Sequence, residues 1–421
     1  MVGAWPVPRW IRSPQRRPKP VLFDALTLQL GYNATLVTIG ATLLGMAAGV
    51  GGTFLFLRKR ALVSDAISHA TLPGIGLAFI IMVALGGDGR SLIGLLGGAA
   101  VSAGLGLLCV SWLSTRTRLA EDAAIGAVLS VFFGFGVVVL TIIQTMNAGR
   151  QAGLEGFLLG STAGMLRSDA AILAGAAALT LALVLLLRRP LTLAAFDPEY
   201  ATASGQNVTR NDLAMMGIVL AVTVVGLKIV GLILIVALLI IPPVTARFWT
   251  ERTDHVVLIS GIAGGVSGYV GAAISAAIPD VPTGPIIVLV GFALFALSLL
   301  LAPRRGVMSS FLRHRSFQRR VHLRQGLLAM AQSQPIYEGL TLRLLRRADF
   351  VRPDGVPTNS GQARAAKAML DEARWSIVRG DQSYEAAAAL YDGLTDIETL
   401  LTPDQITEID GRLAAPSEVP A

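Results

Sequence analysis

The chain has 421 residues, 53% of them hydrophobic and only 15% charged, well below the roughly 25% charge of soluble domains, so an ordinary soluble fold is excluded and a polytopic membrane protein is indicated. Its net charge of +8 then reads as basic cytoplasmic loops rather than a nucleic-acid surface. The one cysteine, Cys109, rules out an intrachain disulfide and a thiolate metal cluster.

Residues 1–32 read as a basic N-terminal segment containing Arg9, Arg12, Arg16, Arg17 and Lys19. The apolar run that follows is longer than a signal-peptide core and is expected to be a retained span. Apolar runs able to cross about 30 Å of hydrocarbon fall near 34–57, 61–85, 91–113, 123–146, 168–187, 210–226, 229–246, 255–278 and 284–302. The stretch 210–246 is interrupted by Gly226, Lys228 and Gly231. It reads as two spans or one broken, re-entrant element. The fold class is therefore an all-α transmembrane bundle of eight to nine spans across residues 33–302.

Basic loops at Arg58–Arg60, Arg116–Arg118, Arg188–Arg189, Arg247–Arg252 and Arg304–Arg305 belong in the cytoplasm. That places the N-terminus outside for nine spans, against the basic charge of the tail. Residues 303–317 read as a basic linker, and 318–414 as a small cytoplasmic helical domain. In it, helices near 327–331, 337–347, 362–379 and 383–401 surround a short hairpin with an Asp354-Gly355 turn, a winged-helix-like order. Residues 415–421 read as a frayed tail. The basic run Arg343, Arg346 and Arg347 could touch DNA, but a domain tethered to the membrane is poorly placed to search a genome. A protein-contact or regulatory role is favoured, and His322 reads as a solvated helix residue ahead of a metal ligand.

The chemistry concentrates after the basic triplet Arg58-Lys59-Arg60. Asp65 and His69 are four residues apart and share one face if their run is a helix. A carboxylate and an imidazole form half of a site for Mn²⁺, Fe²⁺ or Zn²⁺. An aspartate inside the membrane costs about 2.5–3.5 kcal/mol on insertion scales, which a cavity or a cation would offset. A hydrogen-bonded pair that fixes helix packing is the equal alternative. Pro73 and Gly74 would break or kink the same helix and open carbonyls to a pathway. In the loop Phe196-Asp197-Pro198-Glu199-Tyr200, ending at Gly205, a proline and two acids suit the first turn of a short helix. It reads as a capped connector or a docking element. Lys228 is a snorkelling cation or a partner for Asp65. The outside loop around Pro282-Thr283-Gly284-Pro285 reads as a tight turn. No Gly-x-x-x-x-Gly-Lys-Ser/Thr loop is present, so ATP is not hydrolysed by that route.

Taken together, the segments Leu57–Gly74, Glu121–Gly126, Phe196–Ala201, Val230–Pro242 and Pro282–Pro285 resemble the permease subunits of manganese/zinc/iron ABC transporters. The resemblance covers about residues 22–302; each motif alone is weak, but the ordered set is specific. It implies that Asp65 and His69 are intramembrane metal ligands. It implies that Phe196, Asp197, Pro198, Glu199, Tyr200 and Gly205 form the element that receives an ATPase's motion. Lys228, Pro73 and Gly74 become gating candidates. The implied partners are cytoplasmic ATPase subunits, a second permease chain, identical or paralogous, and a periplasmic or lipid-anchored metal-binding protein in the bacterial inner membrane. No cofactor is permanently bound; the divalent metal is cargo. The extension after residue 318 is similar, more weakly, to winged-helix modules of metal-responsive regulators. A membrane receptor with a cytoplasmic sensing module, or an ion-coupled carrier, are the other readings of the residues.

Overall fold

The computed structural model describes residues 21–29, 31–87, 89, 91–146, 167–278 and 281–414. These form two compact units, meeting in sequence at Val307 and Met308.

In the first unit a short helix α1 (Val21–Leu26) precedes α2 (Tyr32–Leu57), α3 (Leu62–Ala84), α4 (Leu92–Arg116) and α5 (Glu121–Thr145). Then come α6 (Arg167–Phe196), the short α7 (Pro198–Ala203), α8 (Val208–Val230), α9 (Leu232–Trp249), α10 (Thr253–Ala277) and α11 (Thr283–Leu301). Eight of these helices are long and apolar enough to span a membrane, and α9 is a shorter apolar helix. All nine apolar runs are thus helical. The run 210–246 is divided at Gly231, whose φ of 80° suits a residue without Cβ. The basic pair Arg188-Arg189, expected from its charge to be a loop, is not one. It lies within α6, which continues through Pro190 to Phe196.

Glycine explains how the bundle closes. A Cβ on Gly45 of α2 would lie 2.1 Å from the carbonyl oxygen of Gly264 on α10, and one on Gly264 would lie 2.0 Å from that of Gly45. Gly49 meets Ser260 and Gly268 meets Ala41 in the same way. Two rows of three small residues at i,i+4 spacing, Ala41, Gly45 and Gly49 facing Ser260, Gly264 and Gly268, therefore let backbones touch, as membrane helices do where no hydrophobic drive holds them together. The Ser260 hydroxyl adds a 2.6 Å bond to the Gly49 carbonyl. α2 also packs on α6, α8 and α9, while α3 packs on α4 and α5.

The second unit contains α12 (Val307–Ala331), α13 (Gly339–Arg347), α14 (Asn359–Gly380), α15 (Glu385–Ala388) and α16 (Pro403–Ala414). The basic stretch read as a linker to residue 317 is helical from Val307 onward. Among the described residues the only extended pairing is one antiparallel bridge, Val351 to Pro357. Its loop is a tight turn, with the Gly355 N–H on the Arg352 carbonyl and the Arg352 N–H on that of Val356. Trp375, Val378, Tyr384, Ile397, Leu401 and Ile409 form the core. His322 is not solvated: its Nδ1 lies 3.0 Å from Glu338 Oε2 and 3.1 Å from the Thr341 hydroxyl.

Candidate metal site and coupling loop

α3 starts directly after the basic triplet, and both expected ligands lie in its first half. Asp65 is in the first turn. His69 stands seven residues past Leu62, roughly 10 Å along at 1.5 Å per residue. One helical turn brings His69 Nε2 to 3.4 Å from Asp65 Oδ1. The carboxylate is 39% exposed and the imidazole 21%. On the other side of the ring, Nδ1 is buried and has no hydrogen-bond partner, while Phe133 of α5 meets the ring edge-on at 5.0 Å. An imidazole nitrogen left unpaired in a buried position costs free energy. Among the described residues no three His, Cys, Asp or Glu side chains converge; Asp65 and His69 stand as a pair.

Pro73 does not break α3, which runs on to Ala84. Its missing N–H does remove the helical donor for the carbonyl of His69, four residues earlier. Gly74 is a packing residue: a Cβ there would lie 2.0 Å from the Gly98 carbonyl oxygen of α4. Both border an apolar cavity of about 480 Å³ between α3, α4 and α5, in which Ser102 contributes the lone polar side chain. Lys228 lies in the last turn of α8; its side chain is outside the described residues, as are Pro279 and Asp280.

The loop after α6 is built as its sequence requires. Asp197 caps α7 by accepting the Tyr200 N–H at 2.9 Å, with Pro198 at the first helical position. Gln206 N–H bonds the Ala201 carbonyl and Gly205 N–H that of Thr202, the paired closure of a helix end that needs a left-handed residue. Gly205, at φ 82°, supplies it. Phe196 and Tyr200 are exposed large hydrophobic residues.

Sequence reasoning missed what the basic triplet does. Asp212 of α8 receives Arg58 Nε at 3.0 Å, Arg58 Nη2 at 2.6 Å and Arg60 Nη1 at 2.8 Å. Arg60 Nε also reaches Glu121 Oε1 of α5 at 2.7 Å. The available signal was Asp212 itself, the lone acid between Glu199 and Glu251, set at the mouth of an apolar run.

A model of the ABC 3 transport family matches residues 32–302, the whole run from α2 to the end of α11. The chain belongs to the ABC 3 transport family. It is a multi-pass ABC transporter permease and not an enzyme. The manganese transport system membrane protein MntC of Bacillus subtilis (strain 168) is 40% identical over 310 residues, 73% of this chain and 70% of that protein. The zinc transport system membrane protein TroC of Treponema pallidum (strain Nichols) is 36% identical over 284 residues, 68% of this chain and 94% of that one. The structure of PsaBC from Streptococcus pneumoniae in complex with Fab aligns with a TM-score of 0.59 at 28% identity, covering 70% of this chain and 98% of that chain. In this ABC 3 permease, Asp65, His69 and the Phe196–Gly205 loop lie inside the matched region, whereas α12 to α16 lie beyond it.

Proposed function

We propose that this permease carries a divalent transition metal, Mn²⁺, Zn²⁺ or Fe²⁺, inward across the bacterial inner membrane, with Asp65 and His69 as ligands. The observation that carries this reading is the separation of the two donors. Ligands about 2.1 Å from a tetrahedral ion lie about 3.4 Å from each other, and His69 Nε2 stands 3.4 Å from Asp65 Oδ1. A second permease chain, identical or paralogous, would complete the coordination with the same pair. The names of MntC and TroC support manganese or zinc as cargo; the donor set suits iron as well.

The remaining parts follow from this reading. A binding protein delivers the ion from outside. Cytoplasmic ATPase subunits engage the Phe196–Gly205 loop, where exposed Phe196 and Tyr200 offer apolar contact. ATP-driven closure shifts the bundle between outward- and inward-open states, each binding the ion differently. The second unit is cytoplasmic, and its order of helix, tight hairpin and helix supports a winged-helix-like regulatory module.

The test is elemental metal accumulation in cells lacking this chain, measured for the three ions. Accumulation of at least one should fall and return with the wild-type gene, but not with Asp65→Ala/His69→Ala. Full restoration by the double variant would remove the site.

A further inference from the structure

We propose that Asp212 is a positioning residue that ties the coupling loop to the metal-bearing helix, by clamping the hinge between α2 and α3. The proposal rests on the transport reading above and adds a component it does not contain.

The hinge is unusual. α2 closes with the Arg60 N–H on the Leu55 carbonyl and the Lys59 N–H on that of Phe56, a closure that puts one residue in the left-handed region. Here that residue is Lys59, at φ 60°, where glycine is usual because a Cβ crowds the following carbonyl oxygen. The strained residue is bracketed by Arg58 and Arg60, and both guanidinium groups end on the Asp212 carboxylate. Arg58 makes a two-pronged contact at 3.0 and 2.6 Å, and Arg60 adds a bond at 2.8 Å. Such forked, charge-assisted contacts fix direction as well as distance. Asp212 and Arg58 are only 14% and 15% exposed, so water and salt screen them weakly. Two cations face two carboxylates, Asp212 and Glu121, and the cluster is balanced.

Each end of this clamp reaches something that matters. Asp65 lies five residues past Arg60, in the first turn of α3. On the other side, α7 and α8 are joined by residues 204–207, and that joint is stiff. It carries the two backbone bonds that close α7, the Asn207 side chain caps α8 by accepting the Arg210 N–H at 3.0 Å, and Asn211 bonds Gln206 at 3.3 Å. α7 packs on α6 and α8, and α8 packs on both α2 and α3. A push on α7 is therefore passed to α8 rather than absorbed in the loop. Asp212 then carries it to the one backbone position where the α2–α3 angle is held under strain, and α3 moves with Asp65 and His69 on it.

The test uses the full permease with its ATPase subunits and metal-binding protein in proteoliposomes, with Mn²⁺ and Zn²⁺ as probes. Three quantities are read: metal bound by the permease, ATP hydrolysed, and metal transported per ATP. In Asp212→Asn, metal affinity and ATP hydrolysis should stay within about twofold, while metal per ATP falls about tenfold, within the usual range of site-to-site coupling. Asp212→Glu, which keeps the charge, should recover most of the loss. Unchanged metal per ATP in Asp212→Asn would overturn the proposal. So would joint loss of assembly and metal binding that Asp212→Glu fails to rescue, since that marks a purely structural ion pair. A wild-type complex that moves neither ion on ATP refutes the transport reading first, and the coupling role with it.

Discussion

His69 shows how much of a single side chain's setting can be read from sequence and how much cannot. Its spacing from Asp65 is legible because the helical repeat alone puts the two on one face. The orphaned Nδ1 and the edge of Phe133 are not, because α5 is more than fifty residues away in the chain. Asp212 was illegible for the same reason: its partners come from the α2–α3 junction. In the second unit, Asp371 is buried, its Oδ1 accepts no hydrogen bond, and the Arg374 guanidinium stands 3.7 Å away. Arg374 gives its own forked bonds to Asp410, at 2.6 Å each. Burial, then the neighbouring Asp396 charge, pushes the Asp371 carboxyl above the ordinary carboxylate range. A raised carboxylate favours the fold in its protonated form, and that contribution is lost as pH rises through its folded value. Asp371→Asn should therefore stabilise the unit at neutral pH by about 1 kcal/mol. The gain should vanish below about pH 4, where the unfolded carboxyl is also protonated. Hydrogen exchange at the Trp375 backbone, at both pH values, checks this. Asp381 has the opposite sign. Arg412 and the Ser383 N–H hold it at about 2, so its contribution is present above the ordinary aspartate range and lost as pH falls toward that value.

At the scale of elements, the helices were legible because apolar runs of membrane length leave few alternatives to a helix. Boundaries were less so. Charge at Arg188-Arg189 and the proline after it suggested a loop, yet α6 runs through both and through Pro190 to Phe196, where Asp197 and Pro198 start the next helix. Pro73 suggested a break, yet a proline within a membrane helix costs one backbone bond and the packing of α4 and α5 on both sides keeps α3 continuous. How α2 crosses α10 was invisible, since glycines are spread along the chain and only the fold shows which ones touch. Gly264→Leu should prevent that crossing, because even its Cβ falls within 2.0 Å of the Gly45 carbonyl oxygen. Recovery of folded permease by size-exclusion chromatography should drop steeply. Gly134→Ala, with open space at its Cβ position, should be neutral or slightly stabilising, since alanine is favoured over glycine in a helix by about 1 kcal/mol.

For the whole molecule, the family match ends at residue 302, and the compact units divide a few residues later. Deletion therefore tests the two units apart. Removing residues 308–421 should leave metal uptake in place, altering at most its response to cytoplasmic metal; loss of all uptake with the truncated permease still in the membrane would make the second unit part of the transport machinery. The central claim is that Asp65 and His69 hold the cargo. Equilibrium binding of Mn²⁺ and Zn²⁺ to purified, paired permease tests it most directly. The wild type should bind one ion shared between two chains, and Asp65→Ala and His69→Ala should each weaken binding by about a hundredfold or more, beyond what losing an outer-shell partner costs. Wild-type affinity in both variants would contradict the account.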